Sequence, residues 1–302
     1  MQNLKKETPM SAQLKAQKTP QMTPPNLAEY DPILRRGLQE DLGDIGDITS
    51  MLTIPENKTA EAVFKARQNG VVAGLDMALH TFTLVDETLR ITPCVRDGDE
   101  CLAGDILATV SGNARSILTA ERVALNMLTH LCGIATATHE MVQLLEGTNT
   151  KLLDTRKTLP GWRALQKYAV LCGGGVNHRH GLYDMIMIKD NHIAFAGGLK
   201  SALEAAKAGK PDGIKIEVEV DTLQQLEELL AIGGADIVLL DNMPPEMLKK
   251  AVQMVGGRLD TEASGNITKQ TIRKVAESGV DYISSGALTH SVTNFDIGLD
   301  VQ

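Results

Sequence analysis

The stretch IKIEVEVDTLQQLEELLAIGGADIVLLDNMPPEMLKKAVQMV, residues 214–255, decides the fold. Two short apolar runs, IKIEVEV and DIVLLD, each lead into a longer segment whose apolar residues recur at helical spacing. The helical segments end in glycine, which a helix C′ position favours, and the next strand starts beyond it. The same unit recurs on both sides. KLLDT, MIMIKD, RLDTEASG and DYISSGAL read as strands, and GWRALQKYAVL, GLKSALEAAKAG and TKQTIRKVAESG as helices. Six strands alternating with amphipathic helices from Lys151 onward are the signature of parallel βα units. Right-handed crossovers roll such units into a barrel or an open wound sheet.

Upstream the rhythm is different. From residue 27 to about 112 a helical opening, LAEYDPILRRGLQEDLG, precedes short extended pieces, Val71 with Val72 and LATV at 107–110, separated by turn signals such as RDGD. This is an α+β region. TAERVALNMLTHLCGIATATHEMVQLLEG, 119–147, has helical periodicity and predicts one long helix or two in succession. Residues 1–26, rich in Lys, Gln, Thr and Pro, hold too few apolar groups to offset the entropy of ordering and read as a disordered tail without a targeting signal.

The whole composition narrows the function. A chain of 302 residues with formal charge −8 has room for one or two domains and argues against a nucleic-acid binder. No run approaches the ~20 apolar residues of a membrane span. Cys94, Cys101, Cys132 and Cys172 lack CxxC spacing and read as reduced thiols of a cytoplasmic protein.

Chemically capable residues fall at the carboxyl ends of the strands, where parallel barrels carry their active sites: Asp154 and Arg156, Lys189 and Asp190, Glu219 and Asp221, Asp241 and Asn242, Glu262 and Ser264, Ser285 and Gly286. Helix N-capping is the simpler reading for Asp221 and Asn242. It does not account for Lys189, Glu219 and Asp241. Two Ser-Gly turns, in EASGNIT and SSGALTHS, present backbone N–H groups as a phosphate site would. Arg156, Lys157, His178 and Arg179 supply local positive charge suited to carboxylates and phosphates. Arg163 and Lys167, four apart, read as a solvated helix face. His178 and His180 lack a third ligand at zinc spacing, so anion binding is the better use; His130 and His192 are expected to pack or bond locally. Glu219 and Asp241, ending neighbouring strands, suit Mg²⁺. Together these features predict a phosphorylated sugar substrate carrying diphosphate.

TRKTLPGWR, GGGVNHRHGLYD, IKDNH, IEVEVD, LLDN, EASGNIT and SSGALTHS, with EDLGDIGDITS and TAERVALNMLTHLCGIATAT before them, resemble the ordered motifs of quinolinate phosphoribosyltransferases. The resemblance covers nearly all of the chain after the tail. It implies a type II phosphoribosyltransferase with an N-terminal α/β sandwich domain, 27–125, rejoined by 290–302, and an incomplete, six-stranded α/β barrel, 126–289. It also implies transfer of phosphoribosyl from 5-phosphoribosyl 1-diphosphate (PRPP) to quinolinate with Mg²⁺, yielding nicotinate mononucleotide, diphosphate and CO2. By the same resemblance, Arg122 of a dimer partner, Thr155, Arg156, His178 and Arg179 hold quinolinate, while Lys157 and Lys189 face the anionic reactants. Glu219 and Asp241 bind ribose hydroxyls and magnesium, and Ser264, Gly265, Asn266, Ser285, Gly286 and Ala287 cradle phosphate. Two rivals keep the fold, a molybdenum-associated homologue and a nicotinate-specific enzyme. A third is a lyase forming a Schiff base on Lys189.

Overall fold

The computed structural model describes residues 23–302; residues 1–22, most of the expected tail, lie outside the described residues. Asn26 opens the first helix, α1 (Leu27–Leu42), its side chain accepting from the Ala28 N–H. Then follow α2 (Ile48–Thr53), β1 (Thr59–Ala66), β2 (Gly70–Val71), α3 (Leu75–Val85), β3 (Arg90–Pro93), β4 (Glu100–Cys101), β5 (Ile106–Asn113) and α4 (Ala114–Gln143). The 119–147 periodicity thus belongs to a single helix, which starts five residues earlier than the apolar pattern shows because Asn113 caps it by accepting from Arg115 and Ser116 N–H. Such a cap contributes about 1 kcal/mol.

The second half contains β6 (Lys151–Leu153), α5 (Arg163–Cys172), β7 (Ile186–Ile188), α6 (Asp190–Ala196), α7 (Leu199–Gly209), β8 (Ile216–Val220), α8 (Leu223–Ile232), β9 (Ile237–Asp241), α9 (Pro245–Val255), β10 (Asp260–Ser264), α10 (Ile272–Ala276), β11 (Tyr282–Ser284), α11 (Ala287–His290) and β12 (Ile297–Val301). All six expected strands form one sheet in the order β6-β11-β10-β9-β8-β7, with every paired neighbour parallel. The last strand pairs with the first, whereas β6 and β7 do not pair, so the barrel is incomplete.

β1, β3, β5 and β12 make a separate antiparallel sheet, ordered β12-β1-β5-β3. The chain end thus returns to the N-terminal sheet, where β12 pairs along β1 from Ala62↔Val301 to Ala66↔Ile297. Burial in β1 concentrates at Ala62, Val63, Phe64 and Ala66, and Phe64 packs edge-on against Phe82 of α3 at 5.6 Å. Two cores result, one inside and around the barrel, the other between the antiparallel sheet and α3 with α4. The helix α4 passes through residues 125 and 126 and contributes apolar residues to both.

The two helix-capping readings fail. The α8 N-cap is Thr222, in a capping box with Gln225, and α9 starts after Pro244, so neither Asp221 nor Asn242 caps a helix. Asn242 instead takes φ 54, a left-handed conformation in which its amide donates to Asp241.

Candidate active site

Strand alternation builds the site. Residues two apart share a face, so Glu217 with Glu219 on β8, Leu239 with Asp241 on β9, and Glu262 with Ser264 on β10 point into the barrel in two layers. The outer layer opens on a cavity of about 430 Å³ at the carboxyl ends of the strands. Thr155, Arg156, Lys157, His178, Arg179, Lys189, Glu219, Asp241 and Ser264 all line it, with Met187, Leu239, Glu262 and Ser284. These residues come from β7 and the residue after it, β8, β9, β10 and β11, the loop after β6 and the segment between α5 and β7, so sequence positions more than a hundred apart converge.

Charge is divided across the cavity. Arg156 and Arg179 stand close enough that burial and the Arg156 charge both lower the Arg179 pKa, an arrangement that awaits an anion. Arg179 also donates to the Met185 carbonyl at 3.0 Å, while Nε of Arg156 is buried without a partner. On the other side Lys189 pairs with Glu219. Burial, then the nearby Glu219 and Asp221 charges, raise the Asp241 pKa, so a cation placed between these acids would relieve their repulsion.

Gly265, Asn266, Ser285, Gly286 and Ala287 stand outside the set of residues lining this cavity. Gly265 and Asn266 nonetheless form the turn directly after Ser264. At φ 96 Gly265 packs so tightly that an added Cβ would lie 2.1 Å from Asn242 Oδ1, and Asn266 takes φ 53 while donating to that same oxygen at 3.2 Å. Ser285 is buried, Gly286 lies against the Lys157 chain, and Ala287 borders a second cavity. Arg122, exposed on α4, is not part of this cavity's lining either.

The reading of Lys167 as a solvated side chain is overturned. It is fully buried, paired with Asp154 and donating to the His178 carbonyl at 3.0 Å. Asp154 in turn accepts from the His178 N–H at 2.9 Å and from the Asn177 amide. Arg163, half-buried, donates to the Thr158 hydroxyl and to the His180 carbonyl, so it too is a structural tie. The i, i+4 spacing describes only one helix; it contains nothing about the glycine-rich loop that folds over this face.

His178 lines the cavity and also has partners within the protein. Its Nδ1 accepts the Arg179 N–H at 2.7 Å, and its Nε2 lies 3.1 Å from Glu217 and 3.4 Å from Glu262. Burial opposes charge on the ring and the two carboxylates favour it; while Nδ1 accepts from Arg179 it carries no proton, so the ring N–H sits at Nε2, facing the acids. Both nitrogens are therefore engaged within the protein. The three side chains bring ligand atoms within 4.8 Å of one another, a metal-compatible cluster that spacing along the sequence did not reveal because its acids come from β8 and β10. His192 bonds locally, accepting from the Lys189 N–H, and His130 contacts Asn294 and Gln166.

Residues 47–132 match the family model for the quinolinate phosphoribosyl transferase N-terminal domain, and 134–300 match that for its C-terminal domain. The chain belongs to the quinolinate phosphoribosyl transferase family. A probable carboxylating nicotinate-nucleotide pyrophosphorylase of Bacillus subtilis is 42% identical, covering 91% of this chain and 94% of its own. The chloroplastic nicotinate-nucleotide pyrophosphorylase of Arabidopsis thaliana is 44% identical over 92% of this chain and 85% of its own. The solved nicotinate-nucleotide pyrophosphorylase of Francisella tularensis superimposes with a TM-score of 0.88 at 41% identity, covering 93% of this chain and 99% of that one. The α/β sandwich and incomplete barrel expected from the motifs are accordingly the fold of this family.

Proposed function

We propose that this quinolinate phosphoribosyl transferase family member joins quinolinate to PRPP in the cavity at the barrel mouth, releasing diphosphate and CO2 and forming nicotinate mononucleotide for NAD synthesis. The observation that carries the reading is the opposition of a paired-guanidinium side, Arg156 and Arg179, to an acidic side, Glu219 and Asp241, within one cavity. Two guanidiniums match two adjacent carboxylates by paired hydrogen bonds. Lys157 and Lys189 supply point charges for the dicarboxylate and diphosphate, Thr155 a hydroxyl beside quinolinate, and the turns at Ser264–Asn266 and Ser285–Ala287 backbone donors for phosphate.

Glu219 and Asp241 hold the ribose and stabilise positive charge at its anomeric carbon as the diphosphate leaves. Lys189, already paired with Glu219, is an ammonium suited to that leaving group and poorly suited to Schiff-base attack. Glu219 and Asp241 would hold a magnesium ion, which would supply positive charge toward the diphosphate. The product ring draws electrons toward its positive nitrogen when CO2 departs, so the protein needs to hold the ring rather than supply a base.

The test is purified protein with quinolinate, PRPP and Mg²⁺, followed by CO2 release and nicotinate mononucleotide formation. Equal turnover of nicotinate would sink the assignment. Asp241→Asn is expected to lower kcat at least tenfold and to raise the Mg²⁺ concentration for half-maximal rate; an unchanged magnesium titration would remove Asp241 from the metal role.

The proposal includes a homodimer in which Arg122 completes the partner's cavity. Ile48, Met51 and Leu52 on α2 and Leu118 on α4, one turn before Arg122, are exposed, as are Leu159, Leu182, Tyr183 and Phe195 on segments around the cavity. Apolar surfaces of this kind mark interfaces. Mixing Arg122→Ala with Lys189→Ala, each nearly inactive, is expected to restore about a quarter of wild-type activity, because half the random dimers contain one intact site of two. Mixed samples no more active than their parents would place Arg122 in its own subunit's site or in none. A cytoplasmic location belongs to the same proposal. It is supported by four cysteines that are all free thiols, three of them buried. Among the described residues no helix is long and apolar enough to cross a membrane.

A further inference from the structure

Two buried carboxylates go unused in the chemistry above, Glu262 in the cavity lining and Glu217 outside it. Glu217 of β8 and Glu262 of β10 are 0% and 2% exposed and stand on the two strands that flank β9, Glu217 in register with Ile237 and Glu262 with Leu239. The only cation-forming side chain within ion-pair distance of either, among the described residues, is His178, at 3.1 and 3.4 Å. Both Glu217 oxygens and Oε1 of Glu262 have no hydrogen-bond partner, and Nε2 of His178 meets Oε2 of each acid at ion-pair distance only. Buried acids so poorly satisfied weaken the fold, so their benefit must lie elsewhere.

We infer that Glu217 and Glu262 are positioning residues for dicarboxylate recognition, acting through His178 on Arg179. The inference rests on the proposed function. The acids stand on rigid strands and hold the imidazole by Nε2, and its Nδ1 accepts the Arg179 N–H at 2.7 Å. The ring is thus a strut between the barrel wall and the backbone that carries Arg179. The preceding peptide is tied from the opposite side, with the His178 N–H on Asp154 and its carbonyl on Lys167. Residues 178 and 179 are fixed from below and behind, which aims the Arg179 guanidinium before substrate arrives. A binding fork displaced by ~1 Å loses paired geometry, so the support decides how well the fork works. The ring itself has no nitrogen left for substrate and touches it by packing alone.

The strut works through carboxylate oxygens held 3.1 and 3.4 Å from Nε2, which separates two substitutions. Glu262→Gln keeps shape and an acceptor oxygen, and its quinolinate KM is expected within about threefold of wild type. Glu262→Met removes the acceptor and is expected to raise the quinolinate KM at least ~10-fold while the PRPP KM changes less than about twofold. Glu217→Met on the other strand obeys the same criteria, so a folding failure of one variant leaves the other to decide. Calorimetric titration of quinolinate alone should reproduce the order of affinities without turnover. The inference is overturned if the folded Met variants match the Gln variant, or if the PRPP KM rises in step with that for quinolinate. Failure of the wild-type enzyme to use quinolinate is a separate result and would overturn the proposed function itself.

Discussion

Lys167→Met is expected to lower stability by about 3–5 kcal/mol, measured as the shift in the urea midpoint, because it leaves Asp154 charged and unpaired in the interior. Both side chains of this pair are fully buried. Burial raises the Asp154 pKa and lowers that of Lys167, and on each side it outweighs the attraction of the opposite charge. The pair therefore stabilises little against an apolar substitute, while loss of one member is costly. That asymmetry gives the control: Asp154→Leu combined with Lys167→Met should recover much of the stability. Activity should not return in the double variant, since Asp154 and Lys167 tie both the N–H and the carbonyl of His178. A double variant as unstable as the single one would show that the ion pair itself holds the fold. A double variant with full activity would show that the loop needs no such tie.

Arg179→Ala should reduce kcat/KM for quinolinate by roughly 100- to 1000-fold, in the range for truncating one member of a desolvated, hydrogen-bonded charge pair. Arg179→Lys retains the charge but lacks the planar fork, and a loss of at least ~10-fold is expected. The PRPP KM should stay near wild type in both, because the phosphate-facing turns and the acids at Glu219 and Asp241 come from other strands. Steady-state kinetics with each substrate varied in turn decides the matter. If Arg179→Lys were fully active, or if the PRPP KM rose as much as that for quinolinate, the Arg156–Arg179 side of the cavity would have been assigned to the wrong reactant.

The barrel was legible because its evidence is local. Short apolar strands and helices of period 3.6 alternate from Lys151 onward, and all six strands lie where their runs predict. β1 escaped notice, since TAEAVFKA contains charge and small residues, its burial runs unbroken through Ala62, Val63 and Phe64 rather than alternating, and no strong hairpin signal bounds it. Long helix α4 was visible from periodicity, but its start was set by a cap outside the apolar pattern. Lys189, Glu219 and Asp241 drew attention as polar ends of apolar strands, a pattern that survives without coordinates. His178 drew attention through its loop, while its approach to Glu217 and Glu262 could not be seen along the chain.

The sequence by itself determined which residues stand at strand ends, and with them the parallel βα units, the location of their working face and the kinds of charge gathered there. Alternation within a strand and glycine at helix ends act over a few residues, so they are written in order along the chain. Only the tertiary structure decided which of those charges meet. Lys167 is buried because the 173–180 segment closes over its helix, and His178 faces inward because acids on β8 and β10 reach it from both sides of β9. Contacts between segments forty to ninety residues apart depend on how the strands roll up, and spacing along one helix or loop contains no information about that.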